Sequence, residues 1–211
     1  GYHGVSQTEF QDNTTNRYNV SIGNFAGQRV IGTSNVHIGH EAGMNASGSN
    51  NTFIGYEAGI GGTTSAPFSS GTNNVAIGYQ ALTGFTTGGT NVAVGYQAGR
   101  VVTTATNNTL VGPYAGYDLT TGTGNTLIGS EADGNNETGG YNTIIGYQAA
   151  TGAHGSSHDS TVAIGYRAAF TLTTGNDNVA IGQSALQTVT TGTRNVAVGT
   201  TAGYAGGVGA V

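Results

Sequence analysis

The stretch Asn74-Val75-Ala76-Ile77-Gly78-Tyr79-Gln80-Ala81 returns almost letter for letter as Asn91-Val92-Ala93-Val94-Gly95-Tyr96-Gln97-Ala98. Looser copies run along the chain. Aligned on the form Asn, Val/Thr, x, Ile/Val, Gly, x, x, Ala, eleven copies start at Asn19, Asn35, Asn51, Asn74, Asn91, Asn108, Asn125, Asn142, Thr161, Asn178 and Asn195. The basic period is 17 residues, with insertions carrying Ile60 to Gly71 and His154 to Asp159. A uniform short period reads as one continuous solenoid, whatever domain count the length suggests. The expected fold is all-β: a β-solenoid, or parallel β-roll, of about eleven coils over residues 19–203. Residues 1–18 then form a partial or degenerate repeat, since Gly1-Tyr2-His3-Gly4 resembles the second half of the motif. Residues 204–211 form a tail or the start of a further repeat. On this reading the chain is a mature form or a segment of a longer protein.

Composition agrees with a solenoid. Glycine makes up 39 of 211 residues without the every-third-residue period of collagen, and only 7% of residues are charged, too few for a charge-driven disordered chain. Net charge is −5, with five Arg and no Lys. That argues against nucleic acid, which needs a basic stripe, and against an anionic membrane surface. No apolar run is long enough to insert in a bilayer. Without cysteine there are neither disulfides nor thiolate metal sites.

Within each copy, the glycine at position five (Gly78, Gly95, Gly112, Gly129, Gly146 and their equivalents) follows a short strand. It predicts a bend at positive φ or a close approach of another strand. The alanine at position eight predicts a site with room for one methyl only. Position four is aliphatic throughout: Ile22, Ile38, Ile54, Ile77, Val94, Val111, Ile128, Ile145, Ile164, Ile181 and Val198. These are the expected core. Position three covaries with position two. It is small or His beside Val (Ser21, His37, Ala76, Ala93) and large beside Thr (Phe53, Leu110, Leu127, Ile144). A freely solvated position would not track its neighbour, so position three is expected to meet a packed surface. Alternation puts it opposite position four, and a thin coil has one interior. His37, Phe53, Ala76, Ala93, Leu110, Leu127 and Ile144 are therefore expected to face other chains of a homotrimer. The recurrent Thr-Thr predicts a second short strand per coil, and the recurrent Asn an amide ladder between coils. At ~4.8 Å per coil the rod is on the order of 50 Å long.

The Asn-Val-Ala-Ile-Gly core resembles the head repeats of trimeric autotransporter adhesins. The longer form, with Tyr-Gln-Ala-Leu and Thr-Thr-Gly, is similar to repeats of bacteriophage tail fibres and related bacterial surface fibres. The resemblance covers about residues 19 to 203. It implies a trimeric β-roll serving as a shaft or head for host-cell or surface attachment, on a virion tail or cell surface. Its partners would be itself and a host glycan or protein, with no cofactor. No family binding residue transfers.

Candidate sites are few. Tyr56, Tyr79, Tyr96, Tyr147 and Tyr166 predict an aromatic column, either a sugar-stacking stripe or a structural shield. The insertions are the expected receptor-contact loops, with Pro67 and Phe68 in the first and His154 and His158 in the second. No metal site is expected from the five histidines, and no catalytic residue from the ten acids, which carry no paired-carboxylate or phosphate-loop signature. The expected protein is therefore non-enzymatic. An ice-binding solenoid using stacked Thr and a polysaccharide-degrading spike are the alternatives.

Overall fold

The computed structural model describes residues 18–62 and 68–203. Eleven three-residue strands, from β1 (Val20–Ile22) through β4 (Val75–Ile77) and β5 (Val92–Val94) to β11 (Val196–Val198), form one parallel sheet in strict sequence order. Each pairs with the next at the same motif position: Val75 opposite Val92, Ala76 opposite Ala93, Ile77 opposite Val94. The chain is a parallel β-solenoid with one strand per coil.

Two columns fix the register. The first is the asparagine. Asn74 Oδ1 accepts the backbone N–H of Asn91 at 3.0 Å, and Asn74 Nδ2 donates to the Gly88 carbonyl at 3.0 Å. The pattern repeats at Asn35, Asn51, Asn91, Asn108 and Asn125, all buried. A buried carboxamide is tolerable because the neighbouring coil satisfies it. The second column is the position-five glycine. Gly95 sits at φ +140, and a Cβ there would lie 2.5 Å from the Gly112 carbonyl oxygen. The bend and the close approach expected from sequence are both present.

The interior differs from the sequence expectation. Position three points inward: Phe53, Ala76, Ala93, Leu110, Leu127, Ile144 and His37 are wholly buried inside their own chain, together with the position-eight alanines from Ala42 to Ala185. They do not face another chain. Position four, the expected core, lies on the outer face. Ile77 and Ile128 are each 37% exposed, Ile22 51% and Val198 66%, while Ile38, Ile54, Val94, Val111, Ile145, Ile164 and Ile181 are half-buried. The bend explains the inversion. After the strand the chain turns at Gly78 and again through the left-handed Gln80 and Leu82, which encloses the side bearing Ala76 and Ala81.

So narrow an interior is filled from one of two places in most coils. Ala93 with Gly99 and Ala163 with Ala169 are small at both, and Leu110 and Leu82 of the adjacent coils reach Gly99. Where position three is large, position nine is Gly or Ala, except for the buried Asp133 beside Leu127. A Cβ on Gly59 would lie 2.5 Å from the Phe53 ring, and one on Gly43 2.2 Å from His37. Where position three is Ala76 or Ala180, position nine is the buried Leu82 or Leu186. The packed surface inferred from the variation at position three is real, but it belongs to the coil itself. Nothing in the structure explains why position two alternates between Val and Thr in step. Phe85, Val102, Leu119 and Leu172 fill the far end of the interior.

The expected second strand does not form a regular ladder among the described residues. Consecutive amides Thr103 N and Thr104 N both reach the Thr120 carbonyl, at 2.9 and 3.3 Å. Two donors sharing one acceptor cannot propagate strand pairing. Thr86, Thr103, Thr120 and Thr173 close the coil contact with their hydroxyls instead, as Thr103 Oγ1 does to the Thr120 carbonyl at 3.0 Å.

Gly95→Ala and Gly199→Ala separate backbone strain from stacking. Both sites have positive φ, but Gly199 lies in the last described coil, where an added Cβ meets no described residue nearer than 4.0 Å. Gly95→Ala is expected to lose about 1–3 kcal/mol more in chemical denaturation than Gly199→Ala. Equal losses would mean that coil-to-coil contact does not select glycine.

Candidate functional site

Outside the interior, side chains at equivalent positions form columns. At position six, His40, Tyr56, Tyr79 and Tyr96 stack with near-parallel rings 5.0 to 5.3 Å apart. Tyr147 and Tyr166 resume the column at 5.8 Å. At position seven, Gln97 donates to Gln80 at 2.7 Å and Gln80 to Glu57 at 2.6 Å. Further along, Arg167 donates to Gln148 and Gln148 to Glu131, each at 2.8 Å.

The aromatic column breaks in the sixth and seventh copies, and the polar column breaks at Tyr114 in the sixth. Position six holds Pro113 and then Ser130, and the aromatic ring moves one place on, to Tyr114. Tyr114 meets Tyr96 edge-on at 5.2 Å and Tyr117 edge-on at 5.7 Å. A cavity of about 310 Å³ opens here, lined by Tyr114, Tyr117, Glu131, Gly134, Asn135, Thr151 and His154. Its polar groups are held from behind. Glu131 Oε2 accepts from Gln148, Thr151 Oγ1 donates to the Glu131 carbonyl at 3.0 Å, and Asn135 Nδ2 donates to the Gly152 carbonyl at 3.0 Å. Tyr117 Oη accepts from Arg100 at 3.0 Å.

The second insertion supplies one wall and divides its histidines. His154 is exposed and contacts the Asp118 carboxylate at 2.5 Å. His158 is completely buried, with Nε2 2.9 Å from Asp133 Oδ1. It cannot serve as a receptor contact. Its pairing with Asp133 instead draws the insertion into the interior of the seventh coil, where Asn136 donates to Asp133 Oδ2 at 3.1 Å. The 2.9 Å approach lies off the line of a good hydrogen bond, and it becomes an ion pair when the imidazole is protonated. Burial opposes charge on His158. The Asp133 carboxylate, the Ala150 backbone and Asp159 outweigh it and raise the imidazole above its ordinary value.

In the first insertion, Phe68 is half-buried beneath the Arg29 guanidinium, 5.9 Å from its ring centroid. Pro67 lies outside the described residues. Tyr114, Tyr117, Glu131 and Asn135 were not singled out from sequence. The legible signal was the displaced tyrosine after Pro113, a flaw in an otherwise regular column. Among the described residues no three His, Cys, Asp or Glu side chains converge to hold a metal. No protein-family model, no curated protein and no solved structure matches this chain.

His37 gives a pH test of the interior. Burial lowers its pKa from 6.5 to about 4, with Ser21 Oγ at 3.4 Å and the Phe53 ring at 5.7 Å. Between those values the unfolded chain takes up a proton that the folded chain refuses. The stability contribution is thus full above pH 6.5 and declines as pH falls towards 4. His37→Phe is expected to remove an acid-induced loss on the order of 3 kcal/mol over that window. His158 acts in the opposite sense: its contribution is full below pH 6.5 and is lost as pH rises through its raised value. An unchanged pH profile of denaturation midpoints in His37→Phe would refute the assignment.

Proposed function

We propose that the chain is a non-enzymatic fibre or adhesin segment, assembled as a homotrimer and acting as a rigid shaft or head for surface attachment. One observation carries this reading. The outer sheet face bears Val or Thr at position two and Ile or Val at position four across all eleven strands, half-exposed or exposed throughout. Such a face runs roughly 50 Å along the stack. Contiguous apolar patches of this extent mark interaction surfaces. Columns such as Val75 and Ile77, rather than the inward-facing residues, are the surface that partner chains would cover. Three stiff copies would present each outer feature three times, so weak contacts sum. The resemblance to adhesin heads and tail-fibre repeats supports the same assembly and an extracellular or virion setting.

Light scattering is expected to return three times the 21.0 kDa chain mass. Ile77→Glu combined with Val94→Glu should release folded monomer, with the circular dichroism of the parent. A stable wild-type monomer would overturn the trimer.

A second reading is favoured by the hydroxyls. Ser70, Thr87, Thr104, Thr121, Thr138, Thr174 and Thr191 are exposed at equivalent places in their coils, with the half-buried Ser157 in the same rank. A regular hydroxyl rank suits an ordered water layer, as an ice-binding solenoid requires. Gly89, Gly140, Asp159 and Asn176 interrupt the neighbouring rank two places on. On the attachment reading, thermal hysteresis in dilute solution is expected to be absent. Its appearance, and loss in Thr104→Leu/Thr121→Leu, would favour ice binding.

A further inference from the structure

We propose that the cavity where the columns break is a saccharide site that takes a neutral pyranose. Its volume of about 310 Å³ suits one or two sugar rings at the small end of ligand pockets. Two tyrosine rings meet at 63° in Tyr114 and Tyr117, giving an angled apolar wall for the C–H face of a sugar. Opposite chemistry lies beside it. Glu131 brings a carboxylate acceptor, Asn135 an amide, Thr151 a hydroxyl and His154 an imidazole. Vicinal sugar hydroxyls both donate and accept, and this set serves both roles.

Preorganisation is the second argument. Glu131, Asn135, Thr151 and Tyr117 are each tied by a hydrogen bond to a neighbouring coil or to the insertion, so little side-chain freedom remains to be lost on binding. Gly134 is buried and carries no side chain into the space. The flanking carboxylates of Glu131 and Asp118, on a chain of net charge −5, disfavour sialic and uronic acids. The site would give the attachment reading a ligand. It rests on that reading for biological purpose only, because binding needs the cavity of a single chain.

The test is saturation-transfer NMR with lactose, cellobiose, N,N′-diacetylchitobiose and 3′-sialyllactose, followed by calorimetry on any binder. The first three separate galactose-terminated, glucan and chitin-type sources of the same chemistry. At least one neutral disaccharide should bind at roughly 10 mM or below, with sialyllactose at least about ten-fold weaker. Tyr117→Ala and Glu131→Gln should each weaken binding about ten-fold or more, whereas Tyr79→Ala, in the unbroken column, should not. Thr151→Val, which keeps the shape and removes the hydroxyl, serves if Tyr117→Ala unfolds. No transfer to any neutral sugar, a preference for sialyllactose, or unchanged binding in the pocket variants would overturn the proposal. Light scattering tests the trimer separately, so the two can fail independently.

Discussion

The stack depends on one constraint: each coil must lie in register on the next closely enough for a side-chain amide to bridge them. The asparagine column meets it with a fixed donor and acceptor pair per step. Asn108 Nδ2, for instance, reaches both Asn91 Oδ1 and the Gly122 carbonyl at 3.0 Å. A net hydrogen bond contributes only about 1 kcal/mol, but an orphaned buried amide costs about 1–3 kcal/mol. The column therefore selects register more strongly than it adds stability. Thr161 shows the limit. It still donates its backbone N–H to Asn142 at 2.9 Å, but its hydroxyl turns to the Asp159 carbonyl, and the carboxamide run restarts at Asn178.

Close stacking then dictates what the interior can hold. With Ala42, Ala58, Ala81, Ala98 and Ala115 all buried in one column, each coil has room for about one more large side chain near the strand. Phe53 or Leu82 supplies it from opposite ends of the bend, but not both in one coil. Apolar bulk displaced from the inside appears outside, as Ile and Val at position four. A globular domain would have the reverse distribution, since its core grows faster than its surface. Here the interior is a file one residue wide, and the outer aliphatic face follows from that geometry.

This is why the sequence was legible at the scale of the coil and illegible across the strand. Period, copy number, glycine bend, tight alanine and amide column are all local regularities, and each is present at the expected residues. Inside and outside are related by an alternation of two residues, and a three-residue strand offers only one residue against two. Invariant aliphatics at position four outvoted the variable position three, although variation in size was the better sign of enclosure. Phe53 facing Gly59, and Ala76 facing Leu82, become readable only once position nine is known to fold back over position three. His158 was misplaced for a related reason. Its distance in sequence from Asp133 hides that an insertion can be anchored through the interior by a buried charge pair.

In a repeat array, a residue that matches its column reports on the architecture, and one that departs from it reports on something else. Tyr79 is accounted for by Tyr56 and Tyr96 on either side. Tyr114, Ser130 and Asp133 are not accounted for by their columns. The seventh coil replaces an aromatic with Ser130 at position six and brings Asp133 to position nine, where other copies hold Gly, Ala or Leu. Asp133 is then the partner that holds the second insertion down, and the insertion carries His154 to the wall of the cavity lined by the displaced Tyr114. Three departures from the repeat thus converge on one place. A stack needing only stiffness would gain nothing from a buried ion pair whose desolvation offsets much of its attraction. Positioning a loop beside two tyrosines and a carboxylate is what that pair accomplishes.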